Sequence, residues 1–272
     1  MCLFKSDFPL KKDQSAVCYT EFGYKLQSLV WCKYLTMAAL PLSKAIVKFN
    51  SHSQSRDKLY RTAQYGSRLA AWFLLRATGG GSVLEEKLRI LEAALALSRK
   101  LFRLGNSLEL GQKALDALSM PDVRLRNLAF TAQTLKAVWL LLDHAIWCGK
   151  IQLVKIDLPR WSKWSSWAWL IGLTASTAFD LLKLHQLQAK LDKLGVQGDS
   201  EGHPHDLADQ VKVEMHTMRL NFWRDFCDVF IPLSALQYTG PGLGAFCGLV
   251  SSVIGFQLEW EKNIKPFKLR KS

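Results

Sequence analysis

Apolar side chains recur at three- and four-residue steps from Ser55 to Ala77, through Leu59, Ala63, Leu69, Ala70 and Phe73. That period predicts a helix, and Arg56, Lys58, Arg61, Arg68 and Arg76 are spread along it. Thr78-Gly79-Gly80-Gly81-Ser82 ends it, because glycine gives up helical preference. The next stretch, Leu84 to Leu104, carries the sharpest pattern in the chain. At about 100° per residue, Leu84, Leu88, Ile90, Leu91, Ala94, Leu95, Leu97, Leu101, Phe102 and Leu104 share one broad arc, interrupted by Lys87 and Ser98. Glu85, Arg89, Glu92, Arg99, Lys100 and Arg103 occupy the opposite arc, with cations dominating its C-terminal half. A wide apolar face backed by basic residues describes a helix lying in a membrane interface. Periodicity alone fits an ordinary bundle helix equally well.

Gly105-Asn106 ends or bends that helix, and a short helix is expected from Ser107 to Leu118. Pro121-Asp122 opens another, Val123 to Trp147, whose half from Leu135 onward is nearly apolar but holds Lys136, Asp143 and His144. Charges there are costly in lipid and call for partners, which favours an interfacial or bundled helix over a full span. Trp161, Trp164, Trp167 and Trp169 then cluster as an interfacial aromatic belt. They lead into Ser165–Leu182, an apolar run with Asp180 as its one charge, near the minimum length for a span. Ala168, Gly172 and Ser176 give that run a face another helix can approach closely. Gly195 to Gln210 is polar and is expected to be a solvated loop; its His203-Pro204-His205 is a weak metal signal. The chain is apolar again from Phe226 to Leu258, broken by Pro232 and by Gly240-Pro241. Within it Gly240, Gly244, Gly248 and Ser252 stand at four-residue steps, the surface through which helices associate in lipid.

Composition narrows the class. Of 272 residues, 49% are hydrophobic and 22% charged, an apolar content high for a water-facing surface and a charge content high for a polytopic transporter. Lys and Arg outnumber Asp and Glu by 36 to 23, for a net charge of +13. Such an excess is attracted to nucleic acid or to an anionic membrane. Its interleaving with long apolar faces favours the membrane, and no nucleic-acid-binding pattern is present. Cysteines at 2, 18, 32, 148, 227 and 247 form no close pair, so reduced thiols are expected, with neither metal nor cofactor. No cleavable secretory leader is expected, because Lys33 interrupts the best apolar candidate, Ser28 to Leu42.

Charge asymmetry orients the candidate spans Ser165–Leu182 and Leu243–Leu258. Segment 150–163 has four basic residues against one acidic, and tail 259–272 has five against two. The intervening 183–228 has six basic and eight acidic. Positive charge stays cytoplasmic, so both termini are expected in the cytosol. The fold expected is all-α: a membrane-associated helical bundle with an interfacial amphipathic helix and two membrane-spanning helices. Its parts are a poorly ordered extension (1–43) and a cytosolic or interfacial region (44–160) containing the amphipathic helix 84–104. A membrane helix (161–184), a polar loop with an amphipathic segment (185–228), a glycine-rich membrane helix (229–260) and a basic tail (261–272) follow. The absence of GxSxG, HExxH, P-loop and dinucleotide fingerprints argues against an enzyme.

Several motifs, in order, resemble the peroxin-eleven family. They are Val47-Lys48-Phe49-Asn50-Ser51 with Gln54 to Leu59 and Ala63-Gln64-Tyr65; Leu97 to Ser107; Leu142-Asp143-His144 with Trp147 and Gly149-Lys150; Arg224 to Leu233; and Gly240-Pro241-Gly242 with Cys247 to Ser252. The likeness runs from Lys44 to the C-terminus and is nearer the animal alpha/beta type; residues 1–43 have no counterpart. It implies a peroxisomal membrane protein with cytosolic termini that promotes peroxisome elongation and fission. It also implies self-association and recruitment of a tail-anchored fission adaptor and a dynamin-like GTPase. The family's membrane-tubulating helix maps onto Lys87–Leu104. Leu88, Leu91, Leu95 and Phe102 would enter the leaflet, while Arg89, Arg99, Lys100 and Arg103 hold anionic lipid headgroups. Gly240, Gly244, Gly248 and Ser252 would mediate helix association. The rival reading is a pore for small metabolites assembled through the glycine face, with Asp143, His144 and Asp180 as its polar lining.

Overall fold

A computed structural model describes residues 42–197 and 204–264, and all regular structure among them is helical. The chain falls into two compact units, residues 1–50 and 51–272. Helix α1, over residues 42–51, supplies the described part of the first unit and exposes Leu42, Ile46 and Val47. The extension expected over 1–43 otherwise lies outside the described residues.

The second unit contains α2 (Ser53–Thr78), α3 (Val83–Phe102), α4 (Asn106–Ala117), α5 (Val123–Lys150), α6 (Leu158–Gln197), α7 (Pro204–Ala235) and α8 (Pro241–Ile264). The predicted punctuation accounts for most of these ends. Gly79 caps α2 in the left-handed region at φ 72°, and Gly105 turns the chain at φ 88° between α3 and α4. Asp122 caps α5, its side chain accepting the backbone N–H of Arg124 at 2.8 Å and of Leu125 at 3.3 Å. Pro241 begins α8 at the position where a missing N–H costs nothing.

Neighbouring helices run antiparallel. In α5 and α6, Gly149 meets Ile156 and Leu158, Gly172 meets Ala132 and Leu135, and Gln186 donates to Asp122. Ser176 meets Asp225 and Trp167 meets Tyr238 between α6 and the α7 end, and Gly244 of α8 packs on Ser234 of α7. Along α2, Trp72, Tyr65 and Ser55 meet Gly242, Gly248 and Asn263 of α8 in that order. The small-residue face expected on α6 is the one against α5: a Cβ on Gly172 would lie 3.3 Å from the Lys136 backbone nitrogen.

Three expectations are corrected. The loop assigned to Gly195–Gln210 is helical at 195–197 and 204–210; residues 198–203, with His203, lie outside the described residues. An apolar cluster of Leu187, Val211 and Met215, flanked by Leu191, Leu194 and Met218, draws the ends of α6 and α7 together and keeps these polar stretches helical. Pro232 does not break the apolar run: it sits buried inside α7, three residues before its end, and removes only its own intrahelical N–H donor. The break falls after Ala235, with Gln237 at φ 67°, so 229–235 belongs to α7 and the glycine-rich helix starts at Pro241. Among the described residues α8 is the one helix long and apolar enough to cross a membrane. Ser165, Thr174, Ser176, Thr177 and Asp180 leave α6 below that apolarity.

Candidate functional site: a polar interior behind an apolar exterior

Helix α3 is mounted opposite to an amphipathic helix of a water-soluble protein. Glu85 and Arg99 are buried, and Arg99 is only 7% exposed. Ile90, at 62%, Leu84, at 55%, and Leu91, Leu101 and Leu104 point away from the rest of the chain. The polar arc packs on α2, where Asp57, Arg61, Gln64 and Arg68 recur at helical spacing. Arg99 Nε donates to Asp57 Oδ1 at 2.9 Å and its Nη1 to Gln64 Oε1 at 2.6 Å. Glu92 accepts from Gln64 at 3.0 Å and pairs with Arg68 at 2.9 Å.

The same inversion extends through the other helices. Arg61 pairs with Asp228 of α7 and donates to Ser251 of α8 at 3.1 Å. Asp225 of α7 accepts from Lys136 Nζ of α5 at 2.9 Å and from Ser176 Oγ of α6 at 2.6 Å, and Arg224 pairs with it at 2.8 Å. Asp143 of α5 takes Lys100 and Arg103 together, the latter at 2.9 Å. On α8 the buried residues are all small (Gly242, Gly244, Ala245, Cys247, Gly248, Ser251, Ser252 and Gly255), while Leu243, Phe246 and Val253 face outward. Charges buried in pairs and large apolar side chains left outside reverse the usual distribution, and a lipid surround suits both.

The interior electrostatics follow from this crowding. Burial alone would raise the Asp57 carboxyl, but Arg99, Lys58 and Arg103 hold it below its ordinary value. Burial and the Arg61 guanidinium push the Lys58 ammonium down to about 8. Lys100 is pushed down to about 7 by burial, then by Arg103, Lys150 and Arg99. A cavity of about 310 Å³ runs past Asp57, Arg61, Lys136, Arg224, Asp225 and Asp228. A second, of about 340 Å³, opens on the other side of Arg61, Arg99 and Arg103.

The residues singled out from the sequence separate accordingly. Leu91 is exposed, and Leu88 and Leu95 flank the outward face half-buried. The Phe102 ring is outward at α3's end and stacks on Tyr60 at 5.7 Å. Of the four cations, Arg89 is on the surface, paired with Glu85 at 2.7 Å. Arg99, Lys100 and Arg103 instead point inward and take Asp57 and Asp143, because an apolar face turned outward carries the polar arc inward. Gly244, Gly248 and Ser252 are buried against α7 and α2 of the same chain, and Gly240 stands in open space. Asp143 lines the second cavity; His144 contacts the Arg103 carbonyl at 3.3 Å, and Asp180 is buried with one oxygen lacking a partner among the described residues. Cys148, Cys227 and Cys247 are unbridged. Sequence reasoning marked Lys136 as a charge in need of a partner but missed Asp225, Asp228 and Ser251 as members of the interior network, although the two-signed polar stripes of α2 and α7 were a usable signal.

Comparison with known proteins places this arrangement. The family model for Peroxisomal biogenesis factor 11 (PEX11) matches residues 43–260. Peroxisomal membrane protein 11B of Pongo abelii is 31% identical over 244 residues, covering 77% of this chain and 94% of the relative. Peroxisomal membrane protein 11A of Rattus norvegicus is 27% identical over 231 residues, covering 78% and 94%. The Peroxisomal membrane protein 11 homolog of Dictyostelium discoideum is 27% identical over 244 residues, covering 80% and 94%. No solved structure matches the chain.

Proposed function

This chain belongs to the Peroxisomal biogenesis factor 11 family, and on that premise we propose that it resides in the peroxisomal membrane, serves peroxisome biogenesis and remodels that membrane towards elongation and fission. The observation that carries the remodelling step is the outward apolar face of α3. Leu84, Ile90, Leu91, Leu101 and Leu104 are each about half exposed. At roughly 1.5–3 kcal/mol for full burial of such a side chain, their remaining area is worth about 4–8 kcal/mol in lipid. Exposed Lys87 and Arg89 add on the order of 1 kcal/mol each at an anionic surface. Burial therefore dominates, and anionic lipid directs where it happens. Unequal displacement of acyl chains in the two leaflets bends the sheet.

In this reading α8 crosses the bilayer and the Ser165–Leu182 stretch of α6 stands at the same depth. Helices α5 and α7, packed antiparallel to them, are drawn in alongside. Four alternating helices return the chain to the face it left, so both ends of the bundle share one side. The basic 150–163 segment then lies on the face opposite the 259–272 tail, and the cytosolic placement of the termini rests on the tail's charge alone. Self-association and recruitment of a tail-anchored adaptor and a dynamin-like GTPase belong to the same proposal, through family membership. The test uses the full chain reconstituted into anionic vesicles and imaged by electron microscopy. Ile90→Glu is expected to abolish tubules while leaving the protein membrane-bound. Undiminished tubulation by that variant refutes the mechanism.

A second reading, a pore for small solutes, draws on the two polar cavities that meet at Arg61, Arg99 and Arg103. It predicts conductance from purified protein in planar bilayers, and a silent bilayer counts against it.

A further inference from the structure

The cavity of about 340 Å³ is bounded by α2, α3, α5, α6 and α7, and its wall is electrically unbalanced. Six cations line it (Arg61, Arg68, Arg99, Lys100, Arg103 and Lys150) against one carboxylate, Asp143. Three of the six are answered from beyond the wall: Arg61 by Asp228, Arg68 by Glu92 and Arg99 by Asp57. The other three have Asp143 between them. Lys100 and Arg103 share it, and Lys150 meets no carboxylate among the described residues. The neighbouring cavity differs, since Asp57, Glu109, Asp225, Asp228 and Glu259 interleave with its cations.

Lys100 and Arg103 are largely withdrawn from water while Lys150 reaches it, so two formal positive charges in excess face the cavity and attract an anion. Burial first, and then Arg103 and Lys150, depress the Lys100 ammonium. Uncharged donors are at hand on α6: Ser165, which is buried, and Ser166 both line the cavity, and neither hydroxyl has a partner among the described residues. The back of the site is stiff, because Trp139 stacks on Trp169 at 4.6 Å with Arg103 lying over Trp139 at 5.1 Å. Donors converge from α3, α5 and α6. A tetrahedral dianion presents oxygens in three directions and matches both that spread and the charge of two, whereas a carboxylate offers two coplanar oxygens and a single charge. Exposed Trp164 and Trp167 lie on the same part of α6, as side chains at headgroup depth do.

We propose that this cavity is a binding site for a phosphate-bearing anion, held by Lys100, Arg103 and Lys150 with the hydroxyls of Ser165 and Ser166. Its source is a soluble phosphate ester or a phospholipid headgroup, and the proposal stands independently of membrane remodelling. The test places the full chain in phosphatidylcholine nanodiscs. One arm titrates inorganic phosphate by calorimetry and phosphorus NMR; the other incorporates phosphatidic acid and scores retained lipid by native mass spectrometry. Saturable binding is expected in at least one arm: a response to inorganic phosphate identifies a soluble ligand, and retention of phosphatidic acid alone identifies a headgroup. Lys150 is exposed and unpaired, so its replacement leaves the fold intact. Lys150→Gln is expected to weaken binding about tenfold, the loss of one charge-assisted hydrogen bond, while Lys150→Arg preserves it. Lys190→Gln, an exposed cation of α6 outside the cavity, should leave affinity unchanged. No saturable binding in either arm, or equal losses from Lys150→Gln and Lys190→Gln, would overturn the proposal.

Discussion

Replacing Asp225 by Asn tests whether the polar interior holds the helices together. Its carboxylate accepts from Lys136 of α5 and Ser176 of α6 and pairs with Arg224, so it joins three helices at one point. Asparagine keeps the size but removes the charge, leaving Lys136 buried beside a neutral amide. Breaking a buried pair from one side costs about 3–5 kcal/mol, because the remaining charge is stranded. For a unit of this size each kcal/mol moves the melting midpoint by about 2–4 °C. A drop of roughly 6–20 °C is therefore expected for Asp225→Asn. Ser176→Ala removes one hydrogen bond and should lower the midpoint by only a few degrees. The pair Lys136→Leu with Asp225→Leu removes the α5–α7 charge pair but leaves Arg224 without its carboxylate, so it should recover part of the loss. The assay is loss of helical circular dichroism on heating the full chain in detergent micelles. A single variant melting within about 2 °C of the parent, or a double variant no better than the single, would refute the reasoning.

Gly248→Ala should destabilise by about 1–3 kcal/mol, because its Cβ would overlap the Tyr65 ring, whereas Gly240→Ala, which meets nothing, should melt unchanged. Gly66→Ala, inside α2 with open space around the new methyl, is expected to raise stability by about 0.5–1 kcal/mol in the same melts. Acid should loosen α3 from α2. The folded Asp57 carboxyl is held below its ordinary 3.8, so the unfolded chain takes up the proton first, and stability present above that value is lost as pH falls below it. A midpoint flat from neutrality to mild acid and falling beyond it is expected; Asp57→Asn should flatten that fall, and an unchanged acid limb would assign it to other groups.

Helix boundaries were legible in the sequence because their causes are local. The glycine run at Gly79–Gly81, Gly105, the Pro121-Asp122 cap and Gly240-Pro241 each act through their own backbone. The polar flanks at 195–197 and 204–210 misled, because composition counts polarity while the contact of Leu187 with Val211 and Met215 is a tertiary event. The arcs of α3 were visible too, but periodicity sorts side chains into faces without saying what each face meets. Arg99 looked equally suited to a headgroup and to a carboxylate; Asp57, 42 positions earlier, decides the matter only after α2 and α3 fold back on each other. Arg61 and Asp228 lie 167 positions apart, beyond any local pattern. The glycine ladder of α8 was plain as a surface for close approach, but the ring of Tyr65 that approaches Gly248 was not.

The inverted polarity of the bundle also bears on how the chain travels from the ribosome to its destination. In water, folding would shelter the charges and leave Ile90, Leu101, Phe246 and Val253 as a greasy coat; unfolding would hydrate the charges and expose still more hydrocarbon. Neither state is comfortable in water, and the coat is relieved only where lipid covers it. The order of events is then imposed by solvent. The coat finds lipid, water is squeezed from between the helices, and the buried carboxylates and guanidinium groups pair as the dielectric around them falls. Salt, which weakens contacts at a wet surface, should do little to the finished molecule; thinning or removing its lipid should do much more.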